Sequence, residues 1–276
     1  MDDPTGLRRG TPRLIATDLD GTLLRSDGTV SRRSVAALRG VAEVGLETVL
    51  VTARPPRWLD ELAHVVGARG VAICGNGAFR YDVGHQRVFH ERTMARDVVT
   101  EIVRDLREQV PGTGFAAERS TGLAAESMFA AIHDHPEDLV TTSEIELLED
   151  AAVGKLLARN PHLTDEEFIE VATQVVGDRA IVAFSGAGGL AEISALGVTK
   201  AAALREWSDE LGIGSEEVWA FGDMPNDLPM LRWAGRSFAV ANAHPDVRTA
   251  VTDHCPGNDD DGVARTLEAL INGLGP

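Results

Sequence analysis

The sequence predicts an α/β fold in which a parallel sheet is split by an inserted segment of mixed α+β character. In residues 13–74, three short apolar runs alternate with helix-like patterns and short connections. The same alternation returns after about residue 195. Strand–helix–strand units of this kind form right-handed crossovers, which place successive strands side by side and parallel. Residues 113–190 break the rhythm with short strand-like runs, so we expect a separate unit there.

The first part of the chain supplies three strands. The apolar run at 13–18 ends in Asp-Leu-Asp-Gly, which is typical of a buried strand followed by a turn. Ser31 is a favourable N-cap for a helix that extends to about residue 44. Residues 46–51 and 71–74 are apolar and are predicted as the second and third strands.

A second helix is expected between these last two strands. Pro55 and Pro56 favour a helix start, because proline fits the first helical turn. The buried face of this helix is predicted to contain Trp58, Leu59, Leu62 and Val65.

The middle of the chain has a different pattern. Residues 79–81 and 87–89 flank Asp-Val-Gly-His and predict a β-hairpin. Residues 94–110 have helical periodicity. Thr164, with Glu167 three residues later, predicts a capping box at the start of a helix that runs to about residue 176.

The C-terminal part resumes the alternating pattern. Its predicted helices lie at 199–211, 226–233, 245–250 and 261–271, and its predicted strands at 218–221 and 237–240. We therefore expect one α/β core formed by residues 13–80 and 190–276, an inserted unit at 81–189, and a disordered lead-in at 1–12.

The composition narrows the function. The chain of 276 residues has a formal net charge of −17, which repels nucleic acid and anionic membranes, so neither is an expected partner. A site for an anionic ligand must supply its own positive charge through a metal ion, basic side chains or backbone N–H groups. No apolar run approaches the roughly 18 residues of a membrane span, and the polar N-terminus predicts no signal peptide. Two isolated cysteines, Cys74 and Cys255, favour a cytoplasmic protein.

The most informative segment is residues 18–24, which reads Asp-Leu-Asp-Gly-Thr-Leu-Leu directly after the first strand. Sites in open parallel sheets form at the carboxyl ends of strands. Asp18 can act there as a nucleophile toward phosphorus, and Asp20 can give and take protons. Gly21 allows the backbone to turn and approach a phosphate. Clustered carboxylates repel, so a divalent cation is expected between them. A solvated turn is the alternative interpretation.

Three further polar groups follow predicted strands or begin helices. Thr52 follows the second strand, and its hydroxyl can donate to a phosphate oxygen. Lys200 opens a helix against the usual dipole preference, which suits an anion site. Asp223, Asn226 and Asp227 follow a later strand and offer the oxygen ligands that magnesium prefers. Each group alone also fits a structural role. Together with the first acidic pair they make the set that phosphoryl transfer needs.

These motifs resemble those of the haloacid dehalogenase superfamily of phosphatases, most closely its Cof-type branch. The four matches are Asp18-Leu-Asp-Gly-Thr for motif one, Thr52 for motif two, Lys200 for motif three and Gly222-Asp-Met-Pro-Asn-Asp227 for motif four. Residues 239–243 and 258–263 resemble the C-terminal stretch of that branch. The resemblance implies a Rossmann-like parallel-sheet core, with residues 81–189 as an inserted α/β cap that sets substrate specificity.

The resemblance also implies a role for each residue. Asp18 would be the nucleophile and a magnesium ligand, and Asp20 the general acid/base with its backbone carbonyl on the metal. Asp223 would be a further magnesium ligand, and Asp227 would support the metal shell and orient Lys200. The phosphoryl oxygens would be held by Thr52, Ala53, Lys200, Asn226 and the backbone N–H groups of Leu19 and Asp20.

The chain departs from the branch pattern in two places. Motif two reads Thr52-Ala-Arg, where the branch usually has Thr-Gly-Arg. Ser194-Ala-Leu precedes motif three, where a proline is common. Neither departure removes a catalytic group.

The expected function is magnesium-dependent hydrolysis of a small phosphorylated metabolite. A single tyrosine and few aromatic residues favour a sugar phosphate over a large planar substrate. Two alternatives stay open: a sugar phosphomutase or phosphotransferase, which passes the phosphoryl group to a second hydroxyl, and a non-catalytic ligand-binding relative. Candidate cap residues for the leaving group are Arg119, Glu126, His133 and His135. The sequence leaves the oligomeric state open.

Overall fold

The computed structural model describes residues 11–66, 70–132, 139–148, 152–183 and 189–274. Within these ranges the chain forms one sheet of eight strands and one of six. Residues 1–10 of the expected lead-in lie outside the described residues.

The strands, in chain order, are β1 (Leu14–Thr17), β2 (Glu47–Val51), β3 (Val71–Cys74), β4 (Phe79–Asp82), β5 (Arg87–Glu91), β6 (Gly114–Arg119), β7 (Gly122–Glu126), β8 (Val140–Thr142), β9 (Lys155–Arg159), β10 (Ile181–Ala183), β11 (Ala191–Ser194), β12 (Val218–Gly222), β13 (Arg236–Val240) and β14 (Asp253–Cys255). The helices are α1 (Arg32–Glu43), α2 (Ala63–Val66), α3 (Arg96–Gln109), α4 (Ser127–Ile132), α5 (Asp165–Val176), α6 (Lys200–Glu210), α7 (Leu228–Trp233), α8 (Pro245–Ala250) and α9 (Gly262–Gly273).

The eight-stranded sheet confirms the predicted parallel α/β core. Its order is β14-β13-β12-β1-β2-β3-β4-β5. The strands from β14 to β3 are parallel to their neighbours, and β4 and β5 continue the sheet as an antiparallel hairpin. The central strands β1 and β12 are buried along their whole length, as expected for parallel strands covered on both faces. Helix α1 packs against α9, and α6 against α7.

The strand order brings the ends of β12, β1 and β2 together. Thr17 at the end of β1 pairs in register with Phe221 on one side and Leu50 on the other. Because these strands are parallel, their carboxyl ends meet at one edge of the sheet. The residues that follow the three strands therefore share this edge, although those after β1 and β12 are about 200 residues apart along the chain.

A glycine allows the start of α6 to approach the turn after β3. Gly77 has a φ of +106°, and a Cβ there would lie 2.5 Å from the carbonyl oxygen of Thr199. A side chain at this position would both strain the backbone and displace the helix. Thr199 caps α6 by accepting a hydrogen bond from Ala202 N at 3.1 Å. Lys200, the first residue of α6, is thereby fixed beside the sheet edge.

The six-stranded sheet, together with α3, α4 and α5, forms what we call the inserted unit (residues 96–194). Its strand order is β10-β11-β9-β6-β7-β8. Phe115 on β6 and Phe168 on α5 are fully buried in the cluster that α3 and α5 form with one face of this sheet. Leu123, Leu157 and Leu190 belong to a second cluster on the opposite face. The alternation of side chains along each strand separates these two faces.

The expected boundaries of the inserted unit need correction at both ends. The predicted boundary at residue 81 divides the hairpin at 79–91, but both of its strands belong to the eight-stranded sheet. The boundary at residue 190 assigned β11 to the core, but β11 lies between β10 and β9 in the second sheet. Both boundaries depend on which strands pair with each other, and the local sequence pattern does not encode pairing between distant strands.

The prediction of one regular helix after Pro55 is wrong. The chain instead makes two 3₁₀ turns, Pro56–Trp58 and Asp60–Leu62, before the short α2. Leu59, Leu62 and Val65 are buried as expected, but Trp58 is 48% exposed. The turns rotate Trp58 outward, where the Arg54 and Arg57 guanidinium groups lie 5.9 and 5.6 Å from its ring centroid.

The other predicted helices and strands occur with shifts of a few residues at their ends. Ser31 accepts a hydrogen bond from Ser34 N and caps α1. Thr164 and Glu167 form the predicted capping box of α5. No described helix is long and apolar enough to cross a membrane.

Phe221→Ala should lower the free energy of unfolding by about 3–5 kcal/mol, because it leaves a cavity in the sheet core. The Phe221 ring is fully buried and stacks on Phe238 with centroids 4.6 Å apart. Phe89→Ala is the matched control, since Phe89 is 41% exposed and its truncation should cost about 1 kcal/mol or less. Urea unfolding followed by circular dichroism measures both. Equal losses would contradict the assigned packing.

Candidate active site

A buried lysine joins two carboxylates at the centre of the site. Lys200 Nζ donates to Asp18 Oδ1 at 2.5 Å and to Asp227 Oδ1 at 2.7 Å. All three side chains are buried. Burial lowers the pKa of Lys200, but the negative charges of Asp18 and Asp227 outweigh this effect and raise it above its usual value. The lysine is therefore a permanent cation beside Asp18.

Asp227 holds the loop that follows β12. Its Oδ2 accepts hydrogen bonds from the backbone N–H groups of Asp223 and Met224, each at 3.1 Å. A Cβ on Gly222 would lie 2.7 Å from the Asp227 Cβ, so this approach requires glycine. Both Asp227 oxygens are thus engaged by protein donors, which suits a supporting residue better than a primary ligand.

The acidic segments after β1 and β12 interlock. Thr22 Oγ1 donates to Asp223 Oδ1 at 3.0 Å. Gly21 has a φ of +76°, and a Cβ there would collide with Asp223 Oδ2. Asn242 Nδ2 donates to the Gly21 carbonyl at 2.7 Å and holds the turn from the other side. The glycine is required both for the turn and for the space that Asp223 occupies.

Three carboxylates are close enough to bind one cation. Oxygens of Asp18, Asp223 and Asp227 all lie within 4.8 Å of one another. Burial raises the pKa of Asp18 well above its usual value, and Lys200 offsets this only in part. Burial and the Asp227 charge raise the pKa of Asp223 to about 6. Crowded, buried, hard oxygen donors fit magnesium, because a divalent cation removes the cost of keeping them ionised.

Asp20 lies apart from this cluster. Its carboxylate is 57% exposed and accepts two hydrogen bonds from Arg54, from Nε at 2.8 Å and from Nη2 at 2.5 Å. This is the bidentate geometry that arginine forms with carboxylates. Arg54 lies in the second motif but is not among the site residues predicted from the sequence.

Thr52 is buried directly after β2, and a hydrogen bond fixes the orientation of its hydroxyl group. Arg54 N donates to Thr52 Oγ1 at 3.0 Å. Since the oxygen already accepts this bond, the hydroxyl hydrogen can donate to a ligand. Leu19 is also buried, in the turn that follows Asp18.

A cavity of about 270 Å³ lies between the ends of the core strands and the inserted unit. The predicted site residues that line it are Asp18, Asp20, Ala53, Lys200, Asp223, Asn226 and Asp227. Leu19 and Thr52 are not among its described lining residues. The opposite wall of the cavity is formed by residues from four strands of the inserted unit, including Glu118, Leu123, Lys155, Leu157 and Glu192.

The charges of the cavity nearly balance. Its described lining contains six carboxylates, Asp18, Asp20, Glu118, Glu192, Asp223 and Asp227, against four cations, Arg54, Arg57, Lys155 and Lys200. The resulting formal charge of −2 is the charge that one divalent cation neutralises. The lining thus supplies four positive groups for an anionic ligand, but a bound cation is needed to offset its excess of carboxylates.

Besides Arg54, four charged residues of the cavity lining were not predicted from the sequence. Arg57 forms a two-point ion pair with Glu118, with Nη2 to Oε1 at 2.9 Å. Lys155 pairs with Glu192 at 3.4 Å. Both pairs join residues far apart in the chain, and no local motif marks them.

The suggested leaving-group residues lie elsewhere. Neither Arg119 nor Glu126 is among the described residues of the cavity lining. Glu126 is buried and forms an ion pair with Arg107 on α3. His133 and His135 lie outside the described residues.

The fold and the site together define a parallel α/β protein with a carboxylate-rich site beneath an inserted unit. The chain matches the haloacid dehalogenase-like hydrolase family over residues 15–267 and belongs to that family. This confirms the resemblance drawn from the motifs. The chain is an enzyme of the phosphatase type found in this family.

Relatives of this chain support the assignment over nearly its whole length. The putative phosphatase YxeH of Bacillus subtilis is 26% identical over 94% of this chain and 98% of that protein. The 5-amino-6-(5-phospho-D-ribitylamino)uracil phosphatase YcsE, also of Bacillus subtilis, is 28% identical over 94% and 96%. The crystal structure of SMU.1108c from Streptococcus mutans shares the fold with a TM-score of 0.81 at 24% identity, covering 95% of this chain and 100% of that one.

Gly21→Ala should abolish most phosphatase activity, lowering it by about 100-fold or more, because the new Cβ displaces Asp223. Gly28→Ala is the matched control: Gly28 also has a positive φ, of +80°, but no atom lies within 4 Å of its added Cβ. Each substitution should cost about 1 kcal/mol of stability from backbone strain. Phosphate release and thermal melting separate the two effects. Similar activity in both variants would contradict the Gly21–Asp223 contact.

Proposed function

We propose that this protein is a magnesium-dependent phosphomonoester hydrolase that forms a phospho-aspartate on Asp18. The observation that carries the proposal is the buried Asp18 carboxylate, held through Oδ1 by Lys200 at the base of the cavity. Its Oδ2 has no hydrogen-bond partner among the described residues, which leaves that oxygen available for attack on phosphorus.

The chemistry has two steps. In the first, Asp18 Oδ2 attacks the phosphorus in line, the bond from phosphorus to the ester oxygen breaks, and Asp20 protonates the departing alcohol. In the second, Asp20 takes a proton from a water molecule, which attacks the aspartyl-phosphate and releases inorganic phosphate. Asp20 enters the first step protonated, and the second step restores the proton that it gave to the alcohol. To deliver that proton, Asp20 exchanges at least one hydrogen bond from Arg54 for the leaving oxygen.

The phosphoryl oxygens need hydrogen-bond donors in both steps of the reaction. Lys200 supplies a fixed positive charge, and the Thr52 hydroxyl a neutral donor. The backbone N–H groups of Leu19, Asp20 and Ala53, together with the Asn226 side chain, are proposed to complete the set.

We propose that Asp18, Asp223 and the Asp20 backbone carbonyl would hold magnesium. Asp227 would support this site through its hydrogen bonds from Lys200 and from the N–H groups of Asp223 and Met224. When bound, the ion neutralises the negative charge of the reacting phosphate and carboxylates. The formal charge of the cavity lining supports a single divalent ion.

The inserted unit is proposed to act as the cap that selects the leaving group. A cavity of about 270 Å³ suits a small metabolite better than a polymer end. YcsE is named for a substrate with a phosphorylated ribityl chain, which supports a sugar-phosphate-like ester as the first substrate to test.

A panel of phosphorylated metabolites with magnesium should yield free phosphate from at least one member, and excess EDTA should remove that activity. A colorimetric phosphate assay measures both. A second hydroxyl compound in the mixture distinguishes a phosphotransferase, because the phosphoryl group would then appear on it and not in solution. Absence of phosphate release and transfer across the panel would count against the proposal.

Asp18→Asn should lower kcat by about 10³-fold or more, because it removes the attacking oxygen's charge. Asp20→Asn should lower kcat by about 10²- to 10⁴-fold through loss of proton transfer. Asp27→Asn, in an exposed turn, is the control and should keep wild-type turnover. Steady-state kinetics on the best panel substrate measure all three. Normal turnover in Asp18→Asn would exclude it as the nucleophile.

A further inference from the structure

A lysine of the inserted unit bonds directly to the loop that follows β2. Lys155, at the start of β9, is buried. Its Nζ donates to the backbone carbonyl of Ala53 at 2.9 Å and lies 3.4 Å from Glu192 Oε2. Ala53 lies next to Thr52, so this lysine reaches from the second sheet into the backbone of the second motif.

The same loop is held from a second direction. Glu192 on β11 accepts a hydrogen bond from Asn76 Nδ2 at 2.6 Å. The backbone N–H of Asn76 donates to the Thr52 carbonyl at 3.0 Å. Asn76 has a φ of +58°, a left-handed conformation that asparagine tolerates better than most residues. Lys155, Glu192 and Asn76 therefore connect the inserted unit to two successive carbonyls of this loop.

Fixing a carbonyl also fixes the next N–H group. In a planar trans peptide, the N–H points opposite to the preceding C=O. The bond from Asn76 to the Thr52 carbonyl therefore sets the direction of the Ala53 N–H. The bond from Lys155 to the Ala53 carbonyl sets the direction of the Arg54 N–H, which donates to Thr52 Oγ1 at 3.0 Å. That bond in turn directs the Thr52 hydroxyl hydrogen toward other acceptors.

We propose that Lys155 is a positioning residue that orients the phosphate donors of the Thr52–Ala53 loop only when the inserted unit is docked on the core. This inference rests on the proposed function, because it assigns the loop to phosphate binding. Its consequence is a coupling between docking and phosphate affinity: closing the inserted unit completes the donor set, and a bound phosphate favours the closed arrangement.

The charges of the network support a positioning role over simple stabilisation. A buried ion pair gains little over an apolar pair of similar volume, because both charges lose their hydration. Lys155 and Glu192 are each about 4% exposed in their side chains. The hydrogen bond from Lys155 to the Ala53 carbonyl is what an apolar pair cannot supply. It is a charge-assisted bond across the interface to the loop that holds Thr52.

The test compares three variants for binding of inorganic phosphate in the presence of magnesium, by isothermal titration calorimetry. Lys155→Met should raise the dissociation constant about tenfold or more, the size expected from loss of one charge-assisted hydrogen bond. Lys155→Arg keeps a cationic donor. The logarithm of its dissociation constant should therefore lie at least halfway from the Lys155→Met value to the wild-type value. The amides of residues 52–54 should exchange hydrogen faster in Lys155→Met than in the wild type.

Arg107→Met is the matched control. Arg107 also pairs with a buried glutamate of the inserted unit, Glu126, but it contacts neither the cavity nor the Thr52–Ala53 loop. It should lower stability without changing phosphate affinity by more than about twofold. Equal loss of affinity in Arg107→Met and Lys155→Met, or unchanged affinity in Lys155→Met, would overturn the positioning role.

A double variant keeps the test decisive if Lys155→Met does not fold. Lys155→Met with Glu192→Gln removes both charges of the buried pair and keeps a side-chain oxygen that can accept the hydrogen bond from Asn76 Nδ2. It should bind phosphate as weakly as proposed for Lys155→Met, and wild-type affinity would overturn the inference. Failure of the wild type to hydrolyse any ester would refute the proposed function alone, because the binding and exchange readouts do not depend on turnover.

Discussion

The hydrogen bonds from Lys200 to Asp18 and Asp227 are the interaction on which the rest of the site depends. They join the end of β1, the start of α6 and the loop after β12 within one buried cluster. Without the ammonium group, two buried carboxylates would face each other with no compensating cation, which is among the most costly arrangements in a protein interior. The strand order, the glycine at position 77 and the Asp227 loop contacts all serve to bring these three groups together.

Charge explains how an acidic protein can host an anionic ligand. A net charge of −17 is spread over the whole chain, whereas the cavity places four cations from the core and the inserted unit beside six carboxylates, whose excess charge the proposed divalent cation would neutralise. Surface charges act weakly through solvent and salt, but groups inside a small cavity interact at short range and with little screening. The local arrangement therefore decides which ligands bind, and the global charge chiefly discourages polyanions.

Local pattern was sufficient to predict the parallel core and the residues that follow its strands. Asp18, Thr52 and Asp223 each follow an apolar run. The run predicts a buried strand, and the polar residue after it predicts a site position at the end of that strand. The pairs Arg54–Asp20, Lys155–Glu192 and Arg57–Glu118 could not be predicted, because each depends on how distant segments meet. The same reason explains the misplaced β11: its neighbours in the sheet are chosen by tertiary packing, which overrides a local resemblance to the core.

The long sequence separation between Asp18 and Lys200, 182 residues, has a consequence for how the protein is made. On the ribosome, β1 and its aspartates emerge first, and the partner lysine and Asp227 loop emerge only after the whole inserted unit. At typical synthesis rates this interval is roughly 10–40 s. During that time the nascent sheet edge lacks its internal cation and must stay hydrated. Asp18 can therefore be buried against Lys200 only after the whole inserted unit has been synthesised.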